Sequence, residues 1–180
     1  VVAVSLKKRL TFAEFRAQVD RLACGLIRLG LKPGERIGIW SQNNLEWLLT
    51  QFATAKAGLV LVNINPAYRR SELEYALNKV GCRALITSPV FKTSDYLEMI
   101  RDLAPELAQA RPGALRAARL PDLETVIRMG DERSPGMMNF SELMTAPQPQ
   151  ELAALQAQAE TLQFDDPINI QFTSGTTGNP

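Results

Sequence analysis

The chain has 180 residues, 46% of them hydrophobic and 22% charged, enough to bury one core of ordinary size and without a stretch long enough to span a membrane. Twenty Lys and Arg against nineteen Asp and Glu leave a net charge of +1, which excludes a global electrostatic attraction to nucleic acid or an anionic membrane. Histidine is absent, so His-based acid/base catalysis, Ser-His-Asp triads and most zinc sites are excluded from this segment. The two cysteines, Cys24 and Cys82, lie in apolar segments and read as buried thiols of a reducing compartment, because two thiols in a chain of this length make no disulfide framework.

Val1-Val2-Ala3-Val4 ahead of Lys7-Lys8-Arg9 reverses the charge order of a signal peptide and is too short for its apolar region, so a protein that is not secreted is expected. Thr11 with Glu14 makes a capping box. Phe12, Phe15, Val19, Leu22, Leu26 and Leu29 follow on one helical face and Gly30 closes it. Lys32-Pro33-Gly34-Glu35 reads as a turn and Arg36 to Trp40 as a strand, after which an Asn of Ser41-Gln42-Asn43-Asn44 caps a second helix running to about Ala57. Leu45, Leu48, Leu49 and Phe52 are expected on its buried side, and Leu59-Val60-Leu61-Val62 is an uninterrupted apolar strand of the kind found inside parallel sheets. These pieces make one βαβ unit.

The alternation continues. Ser71 with Glu74 predicts a helix ending at Gly81, then a strand over 83–87, a helix near 95–103 and a strand over 124–128. The arginines between Arg111 and Arg119 have no aromatic neighbours and read as a solvated linker, and Glu151 to Glu160 reads as a surface helix or linker. Trp40 and Trp47 could form a stacking platform, but their places in a strand and on a helix suit core packing. The predicted fold class is α/β, a mostly parallel sheet flanked by helices, in which ligands bind at the carboxyl ends of the strands.

One such end carries the richest chemistry. Ile168, Ile170 and Phe172 alternate with Asn169 and Gln171 as in a half-buried strand, which runs into Thr173-Ser174-Gly175-Thr176-Thr177-Gly178-Asn179-Pro180. Gly175 and Gly178 let backbone N–H groups approach an anion, and four hydroxyls can donate to phosphate oxygens, so the segment reads as a phosphate-binding loop for ATP. Only Thr176 and Thr177 separate the glycines, which does not fit the Walker A spacing, and a flexible Ser/Thr/Gly tail is the alternative for a lone loop of this kind.

Three segments together resemble the adenylate-forming (AMP-binding) superfamily of acyl-CoA synthetases, luciferases and peptide-synthetase adenylation domains. Leu10 to Phe15 is similar to its first core motif, Ala55 to Gly58 leading to Asn65-Pro66-Ala67-Tyr68 to its second, and Thr173 to Pro180 to its third. Glu72 to Leu77, Arg119 to Leu123 and Asp166 to Phe172 are further similar to the mitochondrial medium-chain acyl-CoA synthetases and their bacterial fatty-acyl-CoA ligase relatives. The resemblance implies that residues 1–180 are part of an amino-terminal AMP-binding domain, ending within the phosphate-loop motif. It implies an enzyme that uses ATP, Mg2+ and CoA to turn a fatty acid, medium-chain by this similarity, into an acyl-CoA through an acyl-adenylate.

In that family Thr173 to Pro180 would lie on the β- and γ-phosphates. The lysine that follows the motif, the magnesium ligand, the acyl tunnel and the adenylation lysine would all come after Pro180. The 180 residues alone are therefore expected to hold no catalytic residue and to be inactive. The metal ligands and the oligomeric state are left open. The compartment would be the mitochondrial matrix in a eukaryote or the cytoplasm in a bacterium. The alternatives are an adenylating ligase for an aryl or aminoacyl carboxylate, a non-catalytic ATP-binding module, and a truncated interaction partner with exposed sheet edges.

Overall fold

The structure is a computed structural model that describes residues 2, 3 and 8–173. Two short strands, β1 (Val2–Ala3) and β2 (Lys8–Arg9), pair antiparallel. Helix α1 (Phe12–Arg28) opens with the predicted capping box. Thr11 Oγ1 accepts from the Glu14 N–H at 3.2 Å and Glu14 Oε2 accepts from the Thr11 N–H at 2.7 Å, which pairs two of the donors a helix start leaves open and holds the Glu14 carboxyl below the ordinary carboxylate range. Strand β3 (Arg36–Trp40) follows, then α2 (Leu45–Lys56), whose first turn is capped by Asn44 Oδ1 accepting from the Trp47 N–H at 2.7 Å, and β4 (Val60–Ile64).

Helix α3 (Arg70–Val80) starts earlier than the Ser71/Glu74 pair predicts. Glu72 turns back to the Arg69 N–H at 3.0 Å, and Glu74 is taken instead by the Arg119 guanidinium in two contacts of 2.8 and 2.5 Å. Gly81 ends the helix at φ 61°, a left-handed conformation that side chains with a Cβ resist. Beyond it lie β5 (Cys82–Thr87), the ribbon of β6 (Val90–Phe91) and β7 (Ser94–Asp95), and α4 (Tyr96–Leu103) capped by Asp95. Strand β8 (Thr125–Arg128) is as expected, whereas β9 (Met138–Asn139) and α5 (Phe140–Leu143) are too short to have left a periodic signal. Helix α6 (Pro149–Ala159) and β10 (Asn169–Gln171) complete the described chain.

Six strands form one sheet in the order β10-β4-β3-β5-β8-β9, with every neighbouring pair parallel. Side-chain alternation divides its residues between two cores. Ile37, Ile39, Leu61, Ala84, Ile86 and Ile127 face α1, α2, α5 and α6, and Trp40, Val62, Ile64, Leu85 and Val126 face α3 and α4. The predicted mostly parallel sheet covered by helices on both faces is therefore present. Both cysteines are buried and unpaired, as expected.

Three expectations need correction. Phe12 shares the apolar face of α1 by periodicity and Phe52 the expected buried side of α2, yet they are 80% and 51% exposed. On α2 Leu45 and Leu49 are buried as expected, and the rest of the buried side is taken by Ala53 and by Thr50 and Thr54, whose hydroxyls donate to the helix's own carbonyls (Thr50 to Glu46 at 2.7 Å, Thr54 to Thr50 at 2.8 Å). Phe52 meets Phe15 edge-on at 5.4 Å, and with Phe12, Val19 and Leu48 these rings line an open groove of about 640 Å³. The 111–119 stretch is no solvated linker, because Leu115 and Ala117 are buried, the Leu115 N–H donates to the Glu124 carbonyl at 2.9 Å and Arg119 is paired to Glu74. The final strand is half-buried as expected, with Ile170 and Phe172 against the core and Asn169 and Gln171 exposed, and Ile168 just ahead of it is 48% exposed.

Two tests follow from the packing. A Cβ on Gly25 of α1 would stand 2.2 Å from the backbone carbonyl oxygen of Leu143 in α5. Gly25→Ala is expected to lower stability by roughly 1–3 kcal/mol despite the better helix propensity of alanine, read as a lower urea midpoint; an unchanged midpoint would refute the close approach of α1 and α5. Burial pushes the Cys82 thiol up from 9.0 to about 12, aided by Asp122 and opposed by Arg36. Because the folded value lies above the unfolded one, the neutral thiol favours the folded state fully below about pH 9 and this contribution is lost as pH rises toward about 12. Iodoacetamide at pH 8 should therefore label Cys82 only after unfolding, and mass-spectrometric detection of rapid labelling in the native protein would contradict it.

Candidate functional site

All six strands of the main sheet point the same way, so the segments that leave their carboxyl ends collect along one edge. These are Ser41 to Asn44 after β3, Asn65 to Arg69 after β4, Ser88 and Pro89 after β5, Met129 after β8, and Phe172 and Thr173 after β10. In parallel sheets this edge is where ligands bind. Of the eight residues predicted for the phosphate loop, Thr173 is described and is exposed; Ser174, Gly175, Thr176, Thr177, Gly178, Asn179 and Pro180 lie outside the described residues.

The launch point of that loop is set by β4. Asn169 pairs with Leu61, Ile170 with Val62 and Gln171 with Asn63, and the Leu61 N–H donates to the Ile168 carbonyl at 3.0 Å. Alternation turns Ile170 and Phe172 toward the core that holds Val62 and Ile64, and leaves Asn169, Gln171 and Thr173 exposed on the other face. Asn63 stands on that polar side, and its Oδ1 is buried with no hydrogen-bond partner among the described residues. The sequence reading passed over Asn63; a single polar residue in the apolar run Leu59 to Ile64 was the available signal.

The corner after β4 is held rigidly. Asn65 Oδ1 accepts from the Ala67 N–H at 2.9 Å and the Asn65 carbonyl accepts from the Tyr68 N–H at 3.0 Å, a turn closed on both its side chain and its backbone. Two aromatic residues pin it from below. Trp40 Nε1 donates to the Asn65 carbonyl at 3.1 Å, Tyr96 Oη donates to the Pro66 carbonyl at 2.6 Å, and the two rings stack with centroids 3.6 Å apart and planes 9° from parallel. Both residues are fully buried, so Trp40 belongs to the core as expected, and Trp47 packs partly buried against the opposite core. Burial pushes the Tyr96 phenol up to about 12 against the opposing charge of Arg69, which keeps it a neutral donor across the physiological range.

A second polar cluster ties the ends of β3, β5 and β8. Ser88 Oγ donates to Ser41 Oγ at 2.8 Å, Ser41 Oγ donates to the Gln42 carbonyl at 2.8 Å, and Asn44 Nδ2 donates to Ser41 Oγ at 3.1 Å. Ser88 Oγ and Asn44 Nδ2 each lie 3.5 Å from Met129 Sδ. The hydroxyls of Ser41 and Ser88 are buried and paired with no base beside them, so the cluster braces the strand ends and offers no activated nucleophile. Among the described residues no group of three or more His, Cys, Asp or Glu is disposed to hold a metal ion. No described helix is long and apolar enough to cross a membrane.

Comparison with known proteins gives the same picture from another side. The AMP-binding enzyme family matches residues 1–180. The chain is 50% identical over 173 residues to the mitochondrial medium-chain acyl-CoA ligase ACSF2 of Bos taurus, covering 96% of this chain and 28% of that protein. It is 39% identical over 172 residues to YngI of Bacillus subtilis, covering 96% and 31%. In fold it is similar to the anthranilate CoA ligase AuaEII, solved with anthranoyl-AMP (TM-score 0.69, 23% identity, 96% of this chain and 29% of that one). It is likewise similar to the N-terminal domain of FACL13 from Mycobacterium tuberculosis (TM-score 0.69, 23% identity, 96% and 37%). The chain thus spans less than a third of the length of the curated relatives it matches. Matched along its whole length by one family, the chain belongs to the AMP-binding enzymes.

Proposed function

We propose that these residues are the amino-terminal part of an adenylation domain, in an ATP-dependent ligase that joins a medium-chain fatty acid to CoA through an acyl-adenylate. The observation that carries this reading is the 50% identity over 96% of the chain to medium-chain acyl-CoA ligases. The reaction consumes ATP, with Mg2+ as its counter-ion, and CoA as the acyl acceptor. In the first step the fatty carboxylate attacks the α-phosphorus and pyrophosphate leaves; in the second the CoA thiol displaces AMP from the acyl group.

The part assigned to this chain is electrostatic. Thr173, Ser174, Thr176 and Thr177 supply hydroxyl donors, and Gly175, Gly178 and Asn179, ahead of Pro180, supply backbone N–H groups, to the β- and γ-phosphates as charge moves onto the departing pyrophosphate. The exposed position of Thr173, where β10 leaves the sheet, supports this role. Acyl-chain selection and the acceptor step fall to residues outside this segment. The enzyme would act in the mitochondrial matrix of a eukaryote or the cytoplasm of a bacterium.

Carboxylate-dependent exchange of pyrophosphate into ATP tests the reading, using the full-length gene product with octanoate and the 180-residue chain in parallel. Exchange by the full-length protein alone is expected, and Thr176→Ala should lower its kcat roughly a hundredfold by removing one donor to the transition state. Exchange with benzoate or an amino acid in place of octanoate would move the protein to another carboxylate class, and none with any carboxylate would make it an ATP-binding module.

A further inference from the structure

We infer that Arg69, Lys92 and Ser94 form a site for a phosphate group at the carboxyl edge of the sheet, after β4 and β5 rather than after β10. The inference rests on the proposed reading of a phosphate-bearing substrate, ATP or CoA, and adds residues to which that reading gives no part.

Two segments meet at this place. Arg69 follows β4 and stands just ahead of α3, and the β6–β7 ribbon follows β5. Tyr96 ties the two together, because its Oη donates to the Pro66 carbonyl and its N–H donates to the Pro89 carbonyl at 3.1 Å. Arg69 Nη1 donates to Ser94 Oγ at 2.7 Å, so a buried hydroxyl fixes one end of an exposed arginine. Phe91 pairs with Ser94 across the ribbon, which puts both side chains on one face of it, and Lys92 Nζ lies over the Phe91 ring at 5.3 Å from its centroid. Both cations are therefore held against the same cross-strand pair.

Neither cation is consumed by the fold. The adjacent Arg70 is paired to Asp102, whereas Arg69 and Lys92 make no ion pair with a described residue. Glu72 accepts from the Arg69 backbone N–H at 3.0 Å and from the Ser71 hydroxyl at 3.2 Å, and Asp95, on the other face of the ribbon, accepts from the Glu98 N–H at 2.8 Å to cap α4. Lys92 has φ 52° in the turn Lys92–Thr93, a place that favours Gly, Asn or Asp, so its being lysine is not owed to the turn. A side chain held in such a conformation is a mark of functional sites. A guanidinium offers a planar fork of N–H donors, of which the Ser94 bond uses one, and an ammonium offers a mobile point charge; together they suit the oxygens of a phosphate. The carboxyl ends of parallel strands are where such ligands bind.

The test is isothermal titration of the full-length gene product with ATP and, separately, with CoA, both without fatty acid so that no turnover occurs, for the parent, Arg69→Ala and Lys92→Gly. Glycine suits the left-handed turn, so Lys92→Gly removes the charge without disturbing the ribbon. Both variants are expected to weaken the Kd of the same one of the two ligands about tenfold, with the other Kd and the Tm unchanged. The ligand affected is the one whose phosphate the site holds, and its affinity for the variants should fall less steeply with added salt than its affinity for the parent. Unchanged Kd values for both ligands, equal losses for the two, or a parent that binds neither would overturn the inference. If the parent shows no carboxylate-dependent exchange, the proposed ligase activity falls, and the titrations alone decide the phosphate site.

Discussion

The pairing of β10 with β4 is the constraint on which the rest of the candidate site depends. More than a hundred residues separate the two strands in sequence, yet three register pairs and one further hydrogen bond from Leu61 to Ile168 bring them side by side. Without that pairing the Asn65 corner and Thr173 would have no fixed relation. With it, the chain leaves the two neighbouring strands at the same edge of the sheet, at Asn65 as a turn closed by its own side chain and at Thr173 as an exposed residue. Parallel pairing alone produces this convergence, since antiparallel neighbours would have sent the two exits to opposite edges.

Delivering β10 to that position requires the chain to cross the whole sheet, from β9 at one edge to β4 near the other. Helix α6 makes the crossing, and it is fastened at several points. Leu155 is buried among α1 residues, Arg28 of α1 reaches both carboxylate oxygens of Glu151 at 3.1 Å, and Gln158 Nε2 donates to the Ala57 carbonyl at the end of α2. Most of the driving force is the burial of apolar surface, and the half-exposed ion pair adds little to it. Its value is directional: it sets where on α1 the helix lies, and so where the following strand begins.

The two halves of the carboxyl edge are built on different physical terms. Around Asn65 and Pro66 the backbone carbonyls are held by a buried indole and a buried phenol, groups that deliver a single donor each from a large apolar body. Around Ser41 and Ser88 the same task falls to small hydroxyls bonded to one another. Both arrangements tie the strand ends through neutral donors and acceptors. The proposed reception of a nucleotide through neutral N–H and hydroxyl donors is consistent with the near-zero net charge of the chain.

Much of this could be read directly from the residues. Capping at Thr11 and Asn44, the stop at Gly81, and the apolar runs of β3, β4 and β5 are local signals, decided within a few positions of chain, and each stands where it was expected. The family was legible for the same reason, because its motifs are short contiguous strings. Where two local solutions competed, as between Glu72 and Glu74 at the start of α3, the outcome turned on Arg119, a residue 45 positions away from Glu74. Phe12 and Phe52 look like core residues by periodicity, but whether a helix face is covered depends on what is packed over it, and both rings line an open groove, while on α2 Thr50 and Thr54, bonded to their own helix, are buried. The sequence by itself therefore determined the longer elements, the order of chemistry along the chain and the family. Only the tertiary structure decided the strand order and the Trp40–Tyr96 clamp, because each joins residues whose meeting depends on how distant segments share the burial of one sheet.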